Sequence, residues 1–174
     1  MDDTAANLAA AFAGTVTTHT GTVTISGAAA ATVAQLVTIN GATTGDITLN
    51  TATVTANLEG TAANLAAAFA GTVTTHTGTI GITGTNPTIS QLNTIAGASS
   101  GVVTATISGA ASDLAGLTTL ATDNITVTIT GANPTVSQLN GIAGKTAGVV
   151  TATISGAATD LAGLTTASTD NITV

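Results

Sequence analysis

The chain contains no cysteine, tryptophan, tyrosine or arginine, and Lys145 is its only basic residue apart from two histidines. Without cysteine it has neither a disulfide framework nor a thiolate metal site. With one lysine it cannot neutralise a phosphate backbone, so neither nucleic acid nor an anionic membrane surface is expected as a partner. Most catalytic and cofactor-binding side chains are also missing, and no glycine pattern follows the phosphate-loop template. The sequence therefore predicts a protein that is not an enzyme and holds no cofactor.

Charge and long apolar runs are scarce as well. Charged residues make up 5% of the chain, and its formal net charge is −7. Threonine, asparagine or glycine interrupts every apolar run well before a membrane span is complete, so membrane insertion is not expected. The chain is instead filled by 42 threonines and 35 alanines.

Internal repetition dominates the sequence. Residues 4–22 and 61–79 are identical, and most of the segment 85–131 recurs 47 residues later. The units are 4–27, 28–60, 61–84, 85–109, 110–131, 132–156 and 157–174. We therefore expect 1–174 to form a single repeat array. Because the last unit stops inside a pattern that the fifth completes, a segment of a longer repetitive protein is expected.

Each unit has the pattern of a short helix followed by a threonine-rich strand. Apolar residues three apart, such as Ile89, Leu92 and Ile95, place one apolar stripe on a helix. In the strands, apolar residues alternate with threonine, which predicts one buried and one exposed face.

Asparagine, proline and glycine mark the ends of these elements. Asn86 and Asn133 are predicted helix N-caps, each followed by a proline at the first helical position. Gly97 and Gly144 are predicted C-caps. A glycine closes most strands and suits a tight turn into the next helix: Gly27, Gly84, Gly109, Gly131 and Gly156.

Strands that alternate with crossover helices predict parallel pairing and right-handed connections. With 22 to 25 residues in most complete units, the pattern predicts a β/α solenoid, with one parallel strand and one short helix per coil. An all-β solenoid or a β-sandwich is the alternative. The extra residues of the second unit, around 50–58, are expected to form an added strand or a protruding turn.

Three segments carry a resemblance to a known class. DTAANLAAAFAG (3–14), ATVAQLVTING (31–41) and SDLAGL (112–117) resemble the degenerate repeats of very large secreted surface proteins of cyanobacteria and other Gram-negative bacteria. The resemblance implies an extracellular structural or adhesive role. Such proteins often carry haemolysin-type calcium-binding modules, but the nonapeptide motif GGxGxDxUx is absent here, so calcium binding does not carry over.

Few residues are candidates for a site. His19 and His76 occupy equivalent places, and without further ligands nearby they are predicted to be solvent-facing rather than metal-binding. Asp123-Asn124 and Asp170-Asn171 precede matching strands and would stack in register with one unit between them. Such a column of oxygens is a weak calcium candidate, although turn formation explains the same residues.

Two further aspartates, Asp113 and Asp160, lie where a helix begins. They are predicted to cap its N–H groups.

The sharpest alternative function rests on threonine. Rows of Thr-x-Thr on a flat parallel sheet can order water and dock onto ice, by analogy with threonine-rich ice-binding proteins. The simpler explanation is that threonine favours strands and is well solvated on their exposed face. The residues expected to form adjacent rows are Thr104, Thr106, Thr126, Thr128, Thr151 and Thr153.

The sequence as a whole predicts a structural module of a secreted bacterial surface protein, acting as a fibre, spacer, adhesin stalk or surface layer. The expected partner is a second copy, joined head to tail or laterally, because open strand edges are templates for pairing. An extracellular surface or a polysaccharide is a further candidate partner. An ice-binding module and a calcium-stabilised adhesin module are the alternatives.

Overall fold

The computed structural model describes residues 1–14, 18–84 and 86–174 and shows an α/β fold. The strands are β1 (Asp2–Thr4), β2 (Val23–Ser26), β3 (Ile47–Thr48), β4 (Leu58–Thr61), β5 (Ile80–Thr83), β6 (Val103–Gly109), β7 (Asn124–Ile129), β8 (Val150–Thr153) and β9 (Asn171–Thr173). The helices are α1 (Ala5–Phe12), α2 (Val33–Gly41), α3 (Thr51–Thr55), α4 (Ala62–Ala68), α5 (Ile89–Gly97), α6 (Ala111–Leu114), α7 (Val136–Ala143) and α8 (Ala158–Leu161). The predicted start of the fourth unit, Thr85, and Thr15, Val16 and Thr17 of the first unit lie outside the described residues.

All pairings among these strands are parallel, as the sequence predicts, and each sheet follows chain order. β1, β2 and β3 form one sheet, and β4 to β9 form a second, six-stranded sheet. Neither sheet closes into a barrel over the described ranges. The chain therefore has two sheets where one was expected.

A single β-bridge joins the end of the first sheet to the chain that follows. Ile47 of β3 pairs with Val73. The Ile47 amide donates to the Thr72 carbonyl at 2.9 Å, and the Thr74 amide donates to the Ile47 carbonyl at 2.9 Å. The sheets meet at the long second unit. Its extra residues form helix α3, capped by Asn50, followed by the start of β4, so the expected added strand is present and is preceded by a helix that was not predicted.

The longer helices begin differently from the prediction. α2, α5 and α7 start after Thr32, Thr88 and Thr135, each of which makes a capping box with the glutamine three residues later. Asn86 and Asn133 lie two residues before these caps, so their assignment as N-caps is wrong. The Thr-x-x-Gln spacing was present in the sequence and is the correct signal.

Glycine has its predicted role at some of its positions. Gly27, Gly84 and Gly131 have φ of 86°, 93° and 86°, a conformation that favours glycine, and they lie where a strand turns towards the next helix. Gly109 and Gly156 do not have positive φ, so backbone conformation does not explain why these two positions are glycine. Gly144 is the C-cap of α7, with φ −70°. Gly97 is the last residue of α5, and Ala98 is its C-cap.

The apolar stripes of the helices meet the inward faces of the strands in an aliphatic core. Leu92 and Ile95 of α5 and Val103 and Ile107 of β6 are all buried, as the two periodicities predict. Burial of this kind contributes about 25 cal/mol per Å² of apolar surface. This burial stabilises the two-turn helices, which on their own are only marginally stable in water.

Backbone segments of successive units approach each other closely at four glycines: Gly45, Gly78, Gly101 and Gly148. A Cβ on Gly101 would lie 2.0 Å from the Gly78 carbonyl oxygen, and a Cβ on Gly78 would lie 2.0 Å from that of Ala56. No side chain fits at such distances, so these positions require glycine for space, although their φ values are negative. Gly141 of α7 is a contrast, because a Cβ there would meet nothing within 4 Å.

This contrast gives a paired prediction. We expect Gly101→Ala to lower the free energy of unfolding by about 1–3 kcal/mol, because the added carbon forces neighbouring backbone apart. Gly141→Ala should raise it by about 0.5–1 kcal/mol, because alanine is the better helix former. Urea unfolding followed by circular dichroism measures both, and similar shifts in the same direction would contradict the close approach.

Candidate functional site: the threonine face and the contacts between units

The outward face of β6, β7 and β8 bears the predicted threonines. In β6, Val103, Ala105 and Ile107 point into the core, while Thr104 and Thr106 are exposed. In β7 and β8 the inward positions are apolar in the same way, while the outward Thr126, Thr128 and Thr151 are half-buried. The prediction of one apolar and one hydroxyl-bearing face is therefore confirmed. We call the outward side of these three strands the threonine face.

The strand register brings some of these threonines together and separates others. Thr106 lies opposite Thr126 of the next strand, and Thr128 lies opposite Thr151. Neighbouring strands are about 4.8 Å apart, so each pair presents two adjacent hydroxyl and methyl groups.

The other two threonines have different neighbours. Thr104 lies opposite Asn124, and Thr153 opposite Thr173. The face thus carries staggered threonine pairs and not uninterrupted rows across all three strands.

The calcium candidates use their carboxylates within the protein. Asp123 is 1% exposed, and its Oδ1 accepts from the Val103 amide at 2.9 Å while Oδ2 accepts from the Leu120 amide at 2.8 Å. Asp170 repeats both contacts with the amides of Val150 and Ala167, each at 2.8 Å. One oxygen shapes the turn, as predicted, and the other fixes the neighbouring strand of the preceding unit.

The stacking expected for these candidates is wrong. Asn171 lies opposite Thr151, and Thr151 lies opposite Thr128 rather than Asn124. The two Asp-Asn pairs are therefore four positions out of register, about 13 Å along the strand. Across 1–14, 18–84 and 86–174, no three histidine, aspartate or glutamate side chains are grouped to hold a metal ion.

Asparagine side chains bind backbone that lies one strand-and-helix segment further along the chain, a role that was not foreseen. The Asn86 amide donates to the Ser108 carbonyl at 2.9 Å and accepts from the Ser108 amide at 2.7 Å. Asn93 does the same with the Gly116 carbonyl and the Thr118 amide, both at 2.8 Å. Asn133 and Asn140 repeat the two arrangements one 47-residue period later. We call these four residues the clamp asparagines, because each pairs with backbone 22 to 25 residues ahead.

Hydroxyl groups make a second set of contacts between units. Thr43 and Ser99 donate to the carbonyls of His19 and His76, at 2.9 Å and 3.3 Å. Thr146 is equivalent, donates to the Ile125 carbonyl and accepts from the Ile125 amide, both at 2.8 Å. These polar residues are buried because they satisfy backbone groups where strand pairing is interrupted.

Asp113 and Asp160 do not cap their helices as expected. Ala110 and Ala157 occupy the N-cap positions and make no side-chain hydrogen bond there. Each aspartate lies in the first helical turn instead, where a negative charge is favourable to the helix dipole.

The prediction that the two histidines face solvent is wrong for His76. Its side chain is 0% exposed, and its ring lies 5.7 Å from that of Phe69. His19 is half-buried, with its ring 5.9 Å from that of Phe12. Neither Nδ1 nor Nε2 of His76 has a hydrogen-bond partner in the part of the chain that the structure describes. Burial lowers the pKa of His76, and nearby backbone groups of Ala56, Thr53 and Thr79 oppose this shift only in part.

Comparison with known proteins adds no relative. No protein-family model, no curated protein and no solved structure matches this chain. Among the described helices, none combines the length and the apolar character that crossing a membrane requires.

The clamp asparagines can be tested with a matched pair of variants. Asn93→Ala removes two hydrogen bonds between units and should lower the free energy of unfolding by about 1–3 kcal/mol. Asn64→Ala is the control, because Asn64 is exposed on α4 and its side chain makes no hydrogen bond to described residues. Thermal and urea unfolding of both variants measures the difference. Equal stability of the two would show that the clamp contributes nothing.

Proposed function

We propose that the chain is a non-enzymatic structural repeat module of a secreted bacterial surface protein, folded as a β/α solenoid with one strand and one short helix per coil. Its place is the cell surface or the extracellular space, as a fibre segment, spacer, adhesin stalk or part of a surface layer. In this role the protein sets a distance and transmits force, and its mechanism is the stacking of coils.

The observation that carries the proposal is the regular contact of each unit with the next. Within each sheet the strands pair in chain order and in parallel, and the contacts of Asn93 and Asn140 with the following unit recur with the 47-residue period of the sequence. Arrays of this kind derive much of their stability from interfaces between neighbours and can be extended by adding units. A stalk or fibre needs such extendability, and it needs no pocket or reactive group.

Self-association is part of the proposal, and the last unit supports it. Val174 is 72% exposed, whereas its equivalent in the fifth unit, Val127, is 0% exposed. Leu161 and Ile172 are half-buried, while the equivalent Leu114 and Ile125 are buried. The fifth unit, which buries these positions against the sixth, therefore shows which surface of the seventh a further unit or a second copy would cover.

The first unit supports it in the same way. His19 is half-buried, although the identical segment of the third unit buries His76 completely. Strand pairing joins successive units within each sheet, so the outer edges of β1 and β9 are the surfaces through which we propose that two copies pair. Contact between the β9 end of one copy and the β1 end of another would cover both surfaces.

Light scattering after size exclusion, together with negative-stain electron microscopy, tests this assembly. We expect the mass to rise with protein concentration and thin fibres to appear. Val174→Asp should reduce association at least tenfold, since it places a charge in an apolar contact. Ser90→Asp adds the same charge on the exposed face of α5 and should have no effect. Discrete monomeric rods at every concentration would exclude end-to-end assembly.

The threonine face supports a second candidate, an ice- or surface-binding module. The observation that favours it is the direct pairing of Thr106 with Thr126 and of Thr128 with Thr151 on an uncharged sheet surface. If this face binds ice, the protein shows thermal hysteresis, and Thr128→Lys reduces it by disrupting the face. Ser90→Lys is the charge-matched control. A wild-type protein without hysteresis rules out this function.

A further inference from the structure

His76 lies where the two sheets meet. Its main chain is part of the contact between units, with its amide donating to the Ala98 carbonyl at 2.9 Å and its carbonyl accepting from the Ser100 amide at 2.8 Å. Its ring packs on Phe69, and backbone groups of Thr53 and Ala56, in and just after α3, lie close to it. The imidazole is thus enclosed between the inserted helix of the second unit and the body of the third.

No negatively charged side chain lies against the ring to balance a positive charge. The elements around it, α3, α4, α5, β4 and β5, contain one ionisable side chain, Glu59 of β4. Glu59 is exposed and packs over Gly81 on the outer surface. Asp46, just before β3, is exposed as well. A buried charge without an opposite charge nearby is costly, so enclosure of the ring favours the neutral form.

The joint around His76 is also the part of the described array with the least strand pairing. β3 has two residues, and its link to the following chain is the single bridge between Ile47 and Val73. By contrast, β6 and β7 pair over six residues. The joint gains support from Asn40 of α2, whose amide donates to the carbonyls of Ala67, Ala68 and Ala70 at the end of α4. The joint is therefore held mainly by the packing of α2 on α4 and by side-chain hydrogen bonds, so a charge buried within that packing would weaken it before the longer strand pairing of β6 and β7 is affected.

We propose that His76 makes this joint acid-sensitive, so that the array opens between its two sheets in mildly acidic solution while the six-stranded sheet remains folded. The inference is independent of what the module does at the surface. It assigns a titratable switch to a chain that otherwise has few ionisable groups.

The direction of the effect follows from linkage. Burial depresses the pKa of His76 in the folded protein, and in the opened or unfolded chain the imidazole regains its ordinary value of about 6.5. The opened state therefore binds more protons at low pH. The stability of the joint is complete above about pH 6.5 and is lost as the pH falls towards the folded-state pKa. Carboxyl groups ordinarily titrate near 4, so the range from pH 7.5 to pH 5 isolates the histidine contribution.

Hydrogen exchange at pH 7.5 and pH 5.0, corrected for the intrinsic rate, tests the proposal on the full chain. We expect protection of the amides in 47–61 and 72–80 to fall at least tenfold at pH 5.0, while the amides of β6 and β7 keep theirs. His76→Met, which fills the site without a titratable group, should abolish this loss. His19→Met is the matched control and should leave it in place, because His76 is still present.

A second measurement makes the result independent of how the variants fold. The imidazole Cε1–H resonances of the wild type report protonation of each histidine directly by NMR. The proposal requires that His76 stays neutral in the closed form and titrates together with the loss of protection. Equal loss of protection in all strands, persistence of the loss in His76→Met, or titration of His76 without any opening would each overturn it.

Discussion

Hydrogen bonds from polar side chains to backbone groups of neighbouring segments are the interaction on which this structure depends. The chain has few charged residues and only two phenylalanines, so ion pairs and aromatic packing cannot join its units. Short parallel strands also leave backbone groups unpaired in the turns between strands and helices. Asparagine, threonine, serine and aspartate side chains satisfy those groups, as Asn93 does at Gly116 and Asp123 does at Val103. Specific stacking thus comes from polar contacts, while the aliphatic core supplies most of the burial.

Periodicity allowed the helices, the strands and their parallel pairing to be predicted from sequence. The helices and the strands depend on local patterns, such as the apolar Ile89, Leu92 and Ile95 on one side of α5. Such patterns are present whatever the surrounding structure. The clamp asparagines could not be assigned in this way, because their partners lie 22 to 25 residues away in sequence. Asn86 before Pro87 has the local pattern of a helix cap, and only the position of Ser108 reveals its different role. The correct cap, Thr88, was available from its spacing to Gln91.

The two histidines illustrate a limit of reading repeats one by one. Residues 4–22 and 61–79 are identical, yet His19 is half-buried and His76 is fully buried. The difference arises from the neighbouring unit, since the α3 region lies beside the third unit. A helix at α3 was itself not predicted, because five residues rich in threonine have little helical preference. In an array, the environment of a residue is therefore a property of two units, and identical sequence does not imply identical chemistry.

The strand register has a geometric consequence for anything that touches the threonine face. Thr104 lies opposite Asn124, and Thr151 lies opposite Thr128, so one period moves equivalent side chains across two strands and four residues along them. With about 4.8 Å between strands and about 3.3 Å per residue, the line that joins equivalent residues of two periods crosses the strands diagonally and is not perpendicular to them. Chemically equivalent hydroxyls consequently follow a diagonal. A rigid crystalline lattice aligned with the strands would match them only in isolated pairs, whereas a linear polymer laid along the diagonal would meet the same group at every step.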